Sequence, residues 1–183
     1  MDDDPLGGDR GDDLGRPLNE LCDIIVARHH AYLHRAIPRI GAVLARLTEA
    51  ESASAHSVAD TREAFADLAH QLQGHLAKEE NVLFPALEAL AKADREGGHR
   101  PALPFPTVLY PIRLMETEHA RIETAMDRLR QVTDGFVAPE GASEGWRQCL
   151  SEFACLDEDL RVHLRAENEV LFPRALDLDR RLP

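Results

Sequence analysis

The sequence predicts an all-α protein, an up-down four-helix bundle built from two similar helical hairpins. Three observations carry this. Apolar residues recur at helical spacing through four long segments, breaker-rich stretches separate them, and no run alternates as a strand would. The 183 residues are enough for one domain with a sizeable core. The bundle is expected over 18–183. Residues 1–17, acidic, Gly-rich and without apolar period, are expected to form a disordered tail.

The first helix is expected from about Leu18 to Ala50, with Leu21, Ile25, Val26, Leu33, Ile37, Ile40, Leu44 and Leu47 in phase. Pro38 falls inside it and should bend it or remove a hydrogen bond. After the loop ESASAHSV, Asp60 and Glu63 form a candidate capping box for the second helix. That helix carries Phe65, Leu68, Leu72, Val82, Leu83, Ala86 and Leu90 on one face. The stretch DREGGHRPALPFP is a connection. The third helix follows through Ile112, Met115, Ile122, Met126, Leu129 and Val132, and DGFVAPEGASEG ends it. The fourth runs from about Trp146 to Leu176 through Leu150, Phe153, Leu156, Leu160, Val170 and Leu171. Pro85 and Pro173, each six residues past a glutamate discussed below, are expected to bend or end their helices.

Charge narrows the function. Lys and Arg total 21 against 33 Asp and Glu, a formal net charge of -12, which argues against nucleic acid or an anionic membrane as partner. Cys22, Cys149 and Cys155 make neither a CxxC pair nor an even disulfide framework, so free thiols in a reducing compartment are expected. No secretory signal and no apolar run of about 20 residues occurs, and a cytoplasmic protein is expected.

The chain repeats itself. HLAKEENVLFP from His75 returns as HLRAENEVLFP from His163, and RHHAYLHRAI aligns with TEHARIETAM. His30 thus pairs with His119, 89 residues apart; His75 pairs with His163, 88 apart; Glu79 pairs with Glu167. A separation of four residues is a rotation of about 40°, so each His-x-x-x-Glu shares one helix face. That face is the apolar one: Leu68, Leu72, Val82 and Leu83 flank the first copy, Leu156, Leu160 and Val170 the second. One such motif is ordinarily an exposed pair or a satisfied core histidine. Two copies, each matched to an upstream core histidine, aim four imidazoles and two carboxylates into one interior. A carboxylate left unpaired there costs several kcal/mol, on the order of 3–5 kcal/mol. A cation compensates it.

Six ligands including two carboxylates suit two ions, with Glu79 and Glu167 bridging and two histidines for each ion. A solvent-derived oxo or hydroxo bridge would make five ligands and leave a position open for a small molecule. Imidazole and carboxylate without thiolate suit iron, and manganese or zinc as the other ions. A closed structural zinc site fits less well.

Other polar residues near the repeat read differently. His34, one turn past His30, reads as an outer or satisfied core group; His29 could exchange roles with His30. His56 sits in a far loop, and His70 and His99 read as surface and loop residues. Glu80 and Glu118 adjoin ligands but rotate about 100° away and are expected to face solvent. Tyr32 reads as packing, or as a hydrogen-bond donor into the site. Cys22 and Cys149 read as small core hydrophobes.

HH followed by YLHRAIPRI, HLAKEENVLFP, METEH and HLRAENEVLFP resemble the hemerythrin-like family of His-His-Glu cation-binding bundles, over about residues 19–176. They look especially like the C-terminal domain of bacterial repair-of-iron-centres proteins, di-iron proteins linked to nitric oxide stress. The resemblance implies His30, His75, Glu79, His119, His163 and Glu167 as metal ligands, the six that the repeat selects. It implies a non-haem di-iron protein that binds or reacts with O2 or NO, with a redox partner protein. Two alternatives are iron storage or donation, including cluster-repair accessory work under stress, and an interaction bundle with a zinc-filled or vestigial site. Two departures bear on this. Oxygen-carrying members have a histidine where Glu123 stands, and repair-type members have an N-terminal cysteine pair not matched ahead of Leu18.

Overall fold

The structure, a computed structural model, describes residues 16–48 and 57–183. Among these it contains four long helices, no strand, and one short 3-10 turn at Asp134–Phe136. Helix α1 spans 18–46, α2 spans 58–95, α3 is Leu109–Val132 and α4 spans 144–181. Cross-helix pairs establish that neighbours run in opposite directions. Arg62 reaches the carbonyls of Leu44 and Leu47, while His30 meets Glu80. Lys78 pairs with Glu118 and Glu63 with Arg128; Arg130 meets Asp157 while His119 meets Asn168. Arg39 with Glu152 and His29 with Asp159 close α4 against α1. This is the up-down bundle the periodicity predicts.

Helix ends differ in detail from expectation. α1 stops at Arg46, because Leu47 turns extended at ψ 145°. The cap of α2 is Ser57, whose hydroxyl accepts from the Asp60 N–H at 3.0 Å, so the Asp60–Glu63 box does not form. Asp60 instead sits in the first turn, where its charge complements the helix dipole. Pro38 lies within α1, and the helix continues through it. The predicted tail residues 1–15, and His56 with most of its loop, lie outside the described residues. Among the described residues no helix is long and apolar enough to cross a membrane.

Pro85 and Pro173 neither end nor interrupt their helices. Each follows a π-helical turn, Glu79–Leu83 or Glu167–Leu171, in which the Phe84 or Phe172 N–H reaches the Glu79 or Glu167 carbonyl five residues back. A proline has no N–H for the ordinary i−4 bond and its ring crowds that carbonyl, so a widened turn relieves both problems. A third π turn, Val26–His30, has no proline. The widened turns also rephase the helices. Val26 and Val82, which a constant helical period assigns to the core, emerge 37% and 42% exposed.

The core is two apolar layers with a polar centre between them. The larger joins Leu33, Ile40, Phe65, Leu68, Leu72, Ile122, Met126, Trp146, Phe153, Leu156 and Leu160. The smaller joins Leu18, Ile25, Leu83, Phe84, Leu87, Leu90, Ile112, Met115, Leu171 and Phe172. Cys22 and Cys149 are buried among them, and burial pushes the Cys149 thiol up to about 12, so both act as small hydrophobes. Cys155 is exposed.

Candidate metal centre

Between the apolar layers the structure brings together His30, His75, Glu79, His119, His163 and Glu167. All are fully buried except His119, which is 2% exposed. They form two overlapping groups. His30 and His163 share Glu79 and Glu167; His75 and His119 share the same two glutamates. Within each group the donor atoms lie within 4.8 Å of one another. Each group takes its histidines from different hairpins, so neither hairpin holds a complete set. The sequence left this pairing open.

The distances describe donors around a common point. The Nε2 atoms of His30 and His163 are 3.2 Å apart, as are those of His75 and His119. Glu79 Oε2 lies 3.4 Å from His30 Nε2 and 3.3 Å from His75 Nε2. Glu167 Oε1 is 3.0 Å from His163 Nε2, and its Oε2 is 3.2 Å from His119 Nε2. Donors bound at about 2.1 Å and separated by octahedral or tetrahedral angles sit about 3.0–3.4 Å apart. Two facing imidazole lone pairs repel unless a proton or a cation lies between them. Both Glu79 oxygens and Glu167 Oε2 are buried without a hydrogen-bond partner, a costly state for carboxylates that a bound cation relieves. The residues fit a metal.

The electrostatics agree. Burial alone would depress His30 and His75, but the Glu79 carboxylate at 3.4 and 3.3 Å, helped by Glu167, overrides it and raises both above 6.5. Burial would likewise raise Glu167, but His163 and His119 hold it well below the usual carboxylate range. The cavity therefore recruits positive charge, as protons or as metal.

Outer groups orient the rings. Glu80 Oε1 accepts from His30 Nδ1 at 2.9 Å, and Asn168 Oδ1 accepts from His119 Nδ1 at 2.9 Å. Glu80 and Asn168 are repeat partners, each directly after its buried glutamate. Glu118 Oε2 faces His75 Nδ1 at 3.4 Å. The expectation that Glu80 and Glu118 are solvated is thus corrected: their side chains are 30% and 14% exposed and face cluster rings. The helix-wheel estimate failed because neighbouring helices supply the rings these carboxylates meet. The sequence signal was present as acidic residues flanking candidate ligands. His34 is an outer group, 54% exposed, with Nε2 2.9 Å from the same Glu80 oxygen. Tyr32 sends no hydrogen bond into the centre, and its buried hydroxyl has no partner. Burial and neighbouring acidic groups push it up to about 12.

The repeated VLFP now has a physical reading. Phe84 stacks on His30 at 5.5 Å and 19°, and Phe172 stacks on His119 at 5.6 Å and 16°. The leucine fills the smaller apolar layer, and the proline is accommodated by the π turn that begins at the glutamate.

A four-helix bundle with this interior defines a helical cation-binding domain. The chain belongs to the hemerythrin HHE cation-binding domain family, which it matches over residues 24–103 and 110–182, one segment for each hairpin. It is 31% identical over 160 residues to the iron-sulfur cluster repair protein YtfE of Edwardsiella ictaluri (strain 93-146), covering 87% of this chain and 66% of that one. It is 26% identical over 161 residues to the proteins of the same name from Yersinia pestis (strain Pestoides F) and Yersinia pseudotuberculosis (serotype O:1b, strain IP 31758), covering 88% of this chain and 67% of each. The match thus spans about two thirds of the length of these relatives.

Proposed function

We propose that this chain is a non-haem di-iron protein that binds or reacts with a small diatomic molecule, O2 or NO, and serves iron-sulfur cluster repair under nitrosative or oxidative stress. The observation that carries the reading is the sharing of both Glu79 and Glu167 by two histidine pairs. One ion would leave half the donors idle. His30, His163 and the two glutamates would hold one iron; His75, His119 and the same glutamates would hold the other. Iron there supplies a reversible one-electron couple and a position for a small ligand. Glu80 and Asn168 accept from Nδ1 and keep the Nε2 lone pairs of His30 and His119 facing the centre. The two apolar layers exclude bulk water. The repair role is supported by the names of the relatives, and O2 or NO by the donor set and the family resemblance.

Iron donation to damaged clusters is the second reading, favoured by the same relatives. Elemental analysis of protein from iron-replete cells tests both readings first, with two irons per chain expected. Stopped-flow spectra of the reduced protein with O2 and with NO then test gas binding. A persistent new band supports a binder, and repeated turnover with a reductant supports an enzyme. Iron that moves to a metal-free cluster protein supports donation. Protein that holds zinc, or no metal at all, overturns the proposal.

A further inference from the structure

The two halves of the centre depart from their repeat at one place. Three of the four cluster rings have an oxygen facing Nδ1: Glu80 for His30, Asn168 for His119, and Glu118 for His75. Only the first two are hydrogen bonds; Glu118 stands 3.4 Å from His75 Nδ1 without bonding it. His163, whose Nδ1 is likewise buried without a hydrogen-bond partner, is the ring with no such oxygen among the described residues. The residue that precedes the cluster histidine on α3 is Glu118, which faces His75. Its counterpart on α1 is His29, and His29 meets His163, the counterpart of His75. It presents a ring face instead of an acceptor. The two rings are parallel within 3°, with centroids 5.3 Å apart.

His29 is built into that position. It is 1% exposed, although it adjoins His30, which is also buried. Consecutive residues on an ordinary helix diverge by about 100°, which would carry one of the two out of the core. The π turn Val26–His30 narrows that divergence, and α3, which presents Glu118 and His119, has no such turn. His29 Nδ1 is tethered 2.9 Å from Asp159 Oδ1. Asp159 lies four residues before His163 on α4, so the tether stands on the face that carries the ring it serves.

We propose that His29, anchored by Asp159, is a positioning residue for His163, fixing the plane of that imidazole from its face where no oxygen fixes it from its edge. The proposal rests on the metal-centre reading. His163 is held at Nε2 by Glu167 Oε1 at 3.0 Å. Without an acceptor at Nδ1 it lacks the second restraint on rotation about its last side-chain bond that keeps Nε2 at the point shared with His30, Glu79 and Glu167. A parallel ring on one side stops that rotation. Outer groups of this kind typically change metal affinity by about 10–100-fold.

The test uses cobalt(II) as the probe, titrated into the metal-free full chain and followed by visible absorption with chelator competition. The wild-type chain is expected to take two ions. His29→Ala should still take two, with one step weakened about 10-fold or more and a changed absorption band, and with the other step unaltered. His29→Phe, which keeps a flat ring but loses the Asp159 tether, should recover the affinity and the band to about the level of Asp159→Ala. Asp159→Ala should weaken the same step less and carries the test if His29→Ala does not fold. His29→Ala with both steps and the band of the wild type overturns the proposal. So does a loss that His29→Phe fails to recover, since that marks a general packing defect. A wild-type chain that takes up no pair of ions overturns the proposal together with the reading beneath it.

Discussion

Replacing Glu79 with glutamine separates a metal bridge from a structural ion pair, because the two readings predict opposite signs for the metal-free protein. Glu79 is 0% exposed, and neither of its oxygens has a hydrogen-bond partner. Its nearest polar neighbours are His30 and His75 at 3.4 and 3.3 Å. In the metal-free chain its charge is held only by drawing protons onto those histidines. Glutamine removes the charge at almost no change of volume and lets both rings stay neutral. Replacing a buried ion pair by uncharged groups of like volume is typically neutral to stabilising, by about 1–4 kcal/mol, and that case applies here because the histidines give up their protons when the Glu79 charge is gone. For a domain of this size each kcal/mol moves the midpoint by about 2–4 °C, so a rise of about 2–16 °C is expected in thermal melts of chelated protein. With metal the order reverses. Wild type gains about 2.7 kcal/mol for each site filled at 100 times Kd, while Glu79→Gln takes up at most one ion per chain by elemental analysis. A metal-free variant destabilised by about 3–5 kcal/mol would show that the carboxylate is there to pair the histidines. A variant that still held two ions at wild-type affinity would refute the bridge.

Three further outcomes follow from the same geometry. Glu80→Ala removes the oxygen facing His30 Nδ1 and should weaken metal binding about 10–100-fold in chelator competition, with the fold unchanged by circular dichroism. Asp179 accepts from Arg100 Nε at 2.7 Å, Thr107 Oγ1 at 2.6 Å and the Val108 N–H at 3.1 Å, tying the connection before α3 to the end of α4. Asp179→Ala should cost about 2–3 kcal/mol in urea denaturation at neutral pH. Burial would raise the Asp179 carboxyl, but these partners hold it below its usual 3.8, so the stabilisation is present above that value and lost as pH falls through the folded one. The variant should therefore lack that acid loss. For His30 and His75 the sign is opposite. Their folded values are raised above 6.5, so their contribution to the metal-free protein is complete below 6.5 and disappears as pH rises through the folded values. Metal-loaded protein should show the reverse slope, because protons compete for the same nitrogens. Urea titrations of both forms across about pH 6 to 8 check this.

Much of this was written in the chain. Helical periodicity specified four helices, since burying one stripe of each needs only local spacing and a common core. The duplication selected His30, His75, Glu79, His119, His163 and Glu167 as one set, because buried charge repeated in two hairpins has to be answered at a shared place. Spacing could not say which histidines stand together, since Nε2 atoms from α1 and α4, or from α2 and α3, meet only after the hairpins interlock. Nor could a constant period of about 3.6 residues place Val26, Val82, Glu80 or His29. Their directions depend on π turns and on rings supplied by other helices, and a hydrogen bond shifted by one residue is a property of the packed helix. Composition and pattern decided which groups must be neutralised at the centre; the crossing of four backbones decided what each group faces.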